Sequence, residues 1–429
     1  MSTVGLITEY NPFHMGHEYH IKKAKELTGA DRAVVIMSGN YVQRGTPAFM
    51  DKHSRASIAL DHGADIVLEL PVPFSCASAE LFALSAVTLL HKTGIVDHIC
   101  FGCEHDDLEL LNCIANIFVD AKNDSSHQLN ALIKDFLKNG ESYASARNMA
   151  LHKYVSESSH ISGDAQVLND ILCQPNNILA IEYLKALKIT GSAMRPVPLK
   201  RTAASYHHDN SNDFMYSASS LRNILCNTDS SDYFQCLGRL CSFDHTYCDT
   251  LNRLYPISES DFNMILGEKL ILYKSDISKL TEFVGIDTQL ANRIINVIDD
   301  HPFTDWKVLA DGIKTKNIAY TAVSRAILAI ALGIKKSHLE QYIANDFASY
   351  VRVLGFKKDA SFLLNNIKKH GELTLIGQLS EIKDNPSLNS SDLQLLNHSI
   401  YCDELYNMVL RTKYSSDMPN EYKRKLIIK

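Results

Sequence analysis

Through the first hundred residues, short continuous apolar runs alternate with stretches of helical spacing. Val4 to Ile7, Asp31 to Ser38, Ala64 to Pro71 and Val96 to Glu104 have the length and continuity of strands buried on both faces. Ile21 to Leu27, Asp51 to His62 and Ser78 to His91 read as the intervening helices. Asp107 to about Asp170 reads as helices, with a polar break near Ser156 to Gly163 and a helix opened by Glu141 to Arg147. Pro196 to Arg201 is a further short strand. From about Ser230 the alternation fades. Leu251 to Lys335 and Phe347 to Ile367 carry helical periodicity, as in Leu290, Ile294, Val297 and Ile298, then Val323, Ile327, Leu328, Ala331 and Leu332. The pattern predicts an α/β fold with a doubly wound, mostly parallel sheet over residues 1–228, then a mostly α-helical domain over 229–429.

A length of 429 residues exceeds one ordinary core, in keeping with two or three domains. The hydrophobic share of 45% and charged share of 21% are those of a soluble globular protein. The net charge of −6 gives no overall attraction for nucleic acid, so any RNA contact must come from local basic patches. The first apolar run is short and is soon followed by Glu9, and no run reaches membrane-spanning length. Ten scattered cysteines read as free thiols of a cytoplasmic protein. Cys100-Phe101-Gly102-Cys103 has the spacing of half a zinc or redox site, but lacks a second pair and reads better as a buried strand.

The richest chemistry follows the first strand. Asn11-Pro12 signals a turn, and His14-Met15-Gly16-His17 leads into a helix. Pro12 and Gly16 suit a loop entering a helix. Strand, tight turn and helix start together make an anion site, because free N–H groups and the helix dipole face the ligand. Two imidazoles there can stabilise charge developing on phosphoryl oxygens. Solvated or capping histidines are the plainer alternative. A metal site at His14, His17 and His20 is a weaker one, since these positions drift around the helix and no Cys or carboxylate completes a tetrahedron. No metal ligand set is predicted.

Other candidates lie at strand ends, where ligands bind in open α/β sheets. Arg44 sits in the polar loop Gly39 to Pro47, and Gly102 ends a strand where backbone can approach a ligand. Asn176 and Asn177 are suitable caps for the helix that follows. Lys200 and Arg201 close a strand and suit phosphate neutralisation, although solvated cations would look the same. Ser217-Ala218-Ser219-Ser220-Leu221-Arg222 is a serine-rich helix start with an arginine in its first turn.

His14-Met15-Gly16-His17 resembles the His-x-Gly-His signature of the nucleotidyltransferase superfamily. The wider phrase Gly5-Leu6-Ile7-Thr8-Glu9-Tyr10-Asn11-Pro12-Phe13-His14-Met15-Gly16-His17 resembles the tRNA(Met) cytidine acetate ligase family. So do Pro175-Asn176-Asn177-Ile178-Leu179-Ala180-Ile181-Glu182-Tyr183, with Ala180 for the usual glycine, and Lys200-Arg201. After Arg201 the chain departs from the family pattern at Thr202, Ala203 and Ser205.

The resemblance implies a Rossmann-like catalytic domain that binds ATP, with His14, His17 and Arg201 as catalytic residues. It implies ATP contacts at Ile7, Thr8, Glu9, Tyr10, Asn11, Pro12, Phe13, His14, Met15, Gly16, His17, Glu18, Tyr19, His20, Gly102, Asn176 and Arg201. Lys200, Ser219 and Arg222 are candidate phosphate contacts. It further implies acetate activation to acetyl-adenylate, Mg2+ bound through the phosphates, and acetyl transfer to N4 of the wobble cytidine of elongator tRNA(Met). The helical domain would hold the tRNA; Lys314, Lys316, Arg325 and the phrase Tyr350 to Lys358 match the family there. A small-molecule adenylyltransferase of the same superfamily is the alternative enzyme, and a catalytically inactive RNA-binding protein a third reading.

Overall fold

The structure, a computed structural model, describes residues 1–157, 165–201, 218–226, 256–382 and 387–429. At its centre is a mixed sheet. Its strands are β1 (Thr3–Thr8), β2 (Arg32–Ser38), β5 (Ile66–Leu70), β6 (His98–Cys103), β7 (Arg195–Lys200), β8 (Tyr350–Phe356), β9 (Thr374–Ile376) and β10 (Ile427–Ile428). The order is β10-β8-β5-β2-β1-β6-β7, with β9 also on β8. The pairs β1–β2, β2–β5, β1–β6 and β6–β7 are parallel, and β5–β8 is antiparallel. A small hairpin, β3 (Tyr41–Val42) and β4 (Thr46–Pro47), stands at the carboxyl end of β2.

Alternation along the strands splits the core in two. Leu6, Val35, Met37 and Val67 face one hydrophobic cluster, while Val34, Ile36, Ile66 and Leu68 face the other. Helices α1 (Met15–Thr28), α2 (Lys52–Asp61) and α4 (Ala79–Lys92) carry the chain between the early strands. The short α3 (Val72–Ser75) follows β5. Beyond β6 come α5 (Leu108–Asn123), α6 (Gln128–Lys138), α7 (Tyr143–Glu157), α8 (Ala165–Cys173) and α9 (Pro175–Ile189), with α10 (Ala218–Cys226) after β7. The described part of the chain beyond residue 256 is mostly helical and ends in the long Ser390–Tyr414 helix. Among the described residues no helix is long and apolar enough to cross a membrane.

One expected element is different. Within Phe347 to Ile367, residues Tyr350–Phe356 form a strand, a 3-10 turn follows at Lys358–Ala360, and α-helix begins only at Ser361. A seven-residue run, apolar but for Arg352, is too short to show helical periodicity, and the edge of β5 supplies the partner that decides its form. The carboxyl-terminal part of the chain thereby completes the sheet, so that part is not wholly helical. The expected boundary at 228/229 lies outside the described residues.

Arg352, on β8, is likewise not an outward cation. It is 8% exposed and lies in a buried charge cluster with Lys52, Glu69, Asp403 and Glu421. Tyr41 Oη donates to the Cys402 carbonyl at 2.8 Å, and Tyr406 Oη to the Ala48 carbonyl at 2.7 Å. These bonds fasten the long final helix to the loop after β2.

Candidate functional site

The turn between β1 and α1 is built from its own side chains and closed by two distant arginines. Tyr10 takes a left-handed backbone conformation (φ 48°), which a residue with a Cβ adopts at a cost. Its fully buried ring, packed on Phe13 and His17 at 4.8 and 5.0 Å, offsets that cost. Asn11 Oδ1 accepts from the Phe49 amide at 2.6 Å. Arg55, buried at the start of α2, donates to the carbonyls of Glu9 (2.5 Å), Ser38 (3.0 Å), Met50 (2.9 Å) and Gly39. Glu9 Oε1 in turn accepts from the Gln43 amide at 2.8 Å, tying the turn to the loop after β2.

His14 is the N-cap of α1, in extended conformation. Its Nδ1 accepts from the Gly16 amide at 3.1 Å, and His17 Nδ1 accepts from the His14 amide at 3.3 Å. The rings stack with centroids 3.7 Å apart. An Nδ1 that accepts carries no proton, so in each neutral ring the proton sits on Nε2, which becomes a donor. Burial, then the charges of Arg201 and Arg222, push the His14 pKa down to about 3. Burial and then His14, His20 and Arg201 hold His17 well below the usual imidazole range. Burial and Arg201 bring His20 down to about 4, against a hydrogen bond with the Cys100 backbone. The three rings are therefore neutral donors at physiological pH.

Arg201 and Arg222 converge on this turn from β7 and α10. Arg222 Nη1 donates to the Asn11 carbonyl at 2.5 Å, and its Nη2 to Ser219 Oγ at 3.1 Å. The Arg201 amide bonds the Cys103 carbonyl at 2.8 Å, and its side chain runs over Gly102. A Cβ at Gly102 would lie 3.3 Å from Arg201 Cδ, so the glycine leaves room for that side chain. His14, His17, Gly102, Arg201, Ser219 and Arg222 are thus brought together. Within the signature, Tyr10, Asn11, Pro12, Phe13 and His14 are buried; Ile7, Thr8, Glu9, Met15, Gly16, His17, Tyr19 and His20 are half-buried. Glu18 is exposed and pairs with His62 at 3.3 Å.

Three candidates have other partners. Lys200 pairs with Asp106 at 3.1 Å on the surface. Asn176 and Asn177 are not caps: α9 begins at Pro175, and its N-cap is Gln174. Asn176 Nδ2 donates to Glu104 Oε1 at 2.5 Å. Asn177 Oδ1 accepts from the amides of Glu104 and His105, both at 2.9 Å. The pair holds the chain just beyond Gly102, a role hidden from sequence because its partners lie 72 or 73 residues away. Nothing local in the sequence reveals the carbonyls that Arg55 gathers. Cys100 and Cys103 are buried strand residues whose thiols burial pushes up to about 12. Arg44 is exposed at its loop tip. Thr202, Ala203, Ser205 and Ser217 lie outside the described residues.

The HIGH Nucleotidyl Transferase family matches residues 1–421. A tRNA(Met) cytidine acetate ligase of Acetivibrio thermocellus is 35% identical over 434 residues, spanning 100% of both chains. The chain belongs to the tRNA(Met) cytidine acetate ligase family. A second member, from Halothermothrix orenii, is 33% identical over 99% of this chain and 97% of its own. The structure of Thermotoga maritima TmcAL bound with alpha-thio ATP superposes with a TM-score of 0.85 at 25% identity, covering 100% of both chains. The α/β sheet with a largely helical carboxyl-terminal region is thus the architecture of this family.

Proposed function

We propose that the protein is an ATP-dependent ligase that activates acetate as acetyl-adenylate and transfers the acetyl group to N4 of the wobble cytidine of elongator tRNA(Met). The observation carrying this reading is the stacked, neutral His14–His17 pair at a helix start, flanked by Arg201 and Arg222. Nε2–H donors, guanidinium groups and a helix start suit a triphosphate.

In the first step an acetate oxygen attacks the α-phosphorus of ATP. The bond to the bridging oxygen breaks, and pyrophosphate leaves with the electron pair. His14 and His17 donate from Nε2 to phosphoryl oxygens whose charge rises in the transition state, while Arg201 and Arg222 hold the phosphates. No protein nucleophile is needed. In the second step the cytidine N4 amine attacks the acyl carbon, the bond to the AMP oxygen breaks, and the amine loses a proton. Lys200, Ser219 and Gly102 border the nucleotide in this account, with Asn176 fixing the adjoining strand end.

Mg2+ would arrive bound to the phosphates, where it supplies charge neutralisation. The turn itself offers imidazole and guanidinium donors, and the nearby Glu104 is engaged by Asn176 and Asn177, so the chain's donor set suits phosphate oxygens rather than the ion. Such an enzyme works in the cytoplasm, where its tRNA is.

The test incubates protein, ATP, labelled acetate and total tRNA. Label in cytidine of tRNA(Met) supports the ligase. Pyrophosphate release only with another small substrate would instead identify an adenylyltransferase, and tRNA binding with neither reaction an RNA-binding protein.

A further inference from the structure

The nucleotide-facing groups described above follow β1, β6 and β7. The other side of β1 is bordered by the segments after β2 and β5, namely the β3–β4 hairpin and α3. Arg325, from the carboxyl-terminal half, lies beside this hairpin. Arg325 lies on the Tyr320–Leu332 helix, whose backbone is pressed against the hairpin. Ser324 Oγ donates to the Gly45 carbonyl at 2.8 Å, and a Cβ at Gly45 would meet the Arg325 amide, so only glycine fits there.

The Arg325 guanidinium is half-buried, and among the described residues it has no hydrogen bond or ion pair. Its charge acts on the buried Cys76 thiol, which also feels the Glu9 carboxylate. Burial pulls its pKa below the ordinary arginine value, and among the described residues no carboxylate pairs with it to offset that. Holding a cation this way is unfavourable unless a ligand supplies the missing charge. Glu9 is already engaged by the Gln43 amide, which ties the loop that touches Arg325 to the turn after β1.

We propose that Arg325 anchors the carboxylate of the acid substrate, beside the turn and across β1 from the Arg201 side. This rests on the ligase reading above. The fork of a guanidinium matches a carboxylate in bidentate fashion. Neutralising the incoming acid also removes its repulsion by the triphosphate. A phosphodiester backbone is better matched by exposed cations, such as Arg44 at the tip of the same loop.

The experiment measures acetate-dependent ATP–pyrophosphate exchange at varied acetate and ATP, and acetyl transfer at varied tRNA, by the full chain and its Arg325→Lys and Arg325→Gln variants. Losing a charge-assisted pair should raise the KM for acetate about 10- to 100-fold in Arg325→Gln, with a smaller rise in Arg325→Lys. The KM for ATP should stay within about twofold. Arg325→Lys keeps the charge and the aliphatic stem, so it carries the test should Arg325→Gln fail to fold. An unchanged acetate KM in the folded variants overturns the inference, and so does a defect confined to the KM for tRNA in acetyl transfer. Wild-type protein whose exchange ignores acetate overturns the ligase reading, and this inference with it.

Discussion

His17 Nδ1 accepts the His14 backbone N–H at 3.3 Å, and the two rings stack at 3.7 Å. Each imidazole therefore carries its proton on Nε2, provided neither ring is protonated. Burial and neighbouring cations set the His14 pKa at about 3 and that of His20 at about 4, against about 6.5 in the unfolded chain. Between these values the unfolded chain binds more protons than the folded one. The contribution to stability is complete above about pH 6.5 and is lost as the pH falls toward the folded values. Thermal unfolding of the ligand-free protein should show a lower Tm at about pH 5 than at about pH 7.5. Comparison with His14→Asn isolates this histidine from other titrating groups; the variant should have the shallower profile.

The same histidine has two separable roles. As an N-cap it can be replaced by Asn, whereas Ala there costs about 1 kcal/mol. As a donor to the transition state neither replacement serves, and adenylate formation should fall about 100-fold or more in both. Denaturant unfolding and acetate-dependent pyrophosphate exchange, measured side by side, separate the roles. Near-normal exchange by a folded His14→Asn protein would remove His14 from the chemistry.

Gly102 governs Arg201. In Gly102→Ala the added methyl comes within 3.3 Å of Arg201 Cδ, which a flexible side chain accommodates by a small shift. Gly102→Val pushes the guanidinium away from the turn. Affinity for an ATP analogue should fall modestly in the first variant and about tenfold or more in the second, as expected when a charge-assisted contact is lost. Equal affinities would show that Arg201 does not need the space.

Lys52 is fully buried among Glu69, Asp403 and Glu421, with Arg352 as the second cation. Removing one partner of such a cluster leaves buried charge uncompensated. Lys52→Met should cost about 3–5 kcal/mol in denaturant unfolding. A loss below about 1 kcal/mol would mean that the cluster relaxes by taking up protons instead. Asp403, raised to about 7 mainly by burial, is the group placed to do so.

The first strands, the turn that leads from β1 into α1 and the helical carboxyl-terminal region were legible because each is encoded locally. Val34 to Met37 can only be a strand buried on both faces, and His14 to His17 follow a strand into a helix. What the chain order hides is tertiary. Tyr350–Phe356 becomes a strand because β5 offers an edge, and Arg352 is buried because its carboxylates come from Glu69, Asp403 and Glu421. Asn177 looks like a cap beside Pro175, but serves the strand end at Glu104 and His105. Such partners lie tens to hundreds of residues away, so no window of sequence contains them.

Most direct is a crystal structure with a non-hydrolysable ATP analogue. The account places phosphate oxygens within hydrogen-bond reach of both His14 Nε2 and His17 Nε2, with Arg201 on the same phosphates. A triphosphate seated elsewhere, with both imidazoles uncovered, would contradict it.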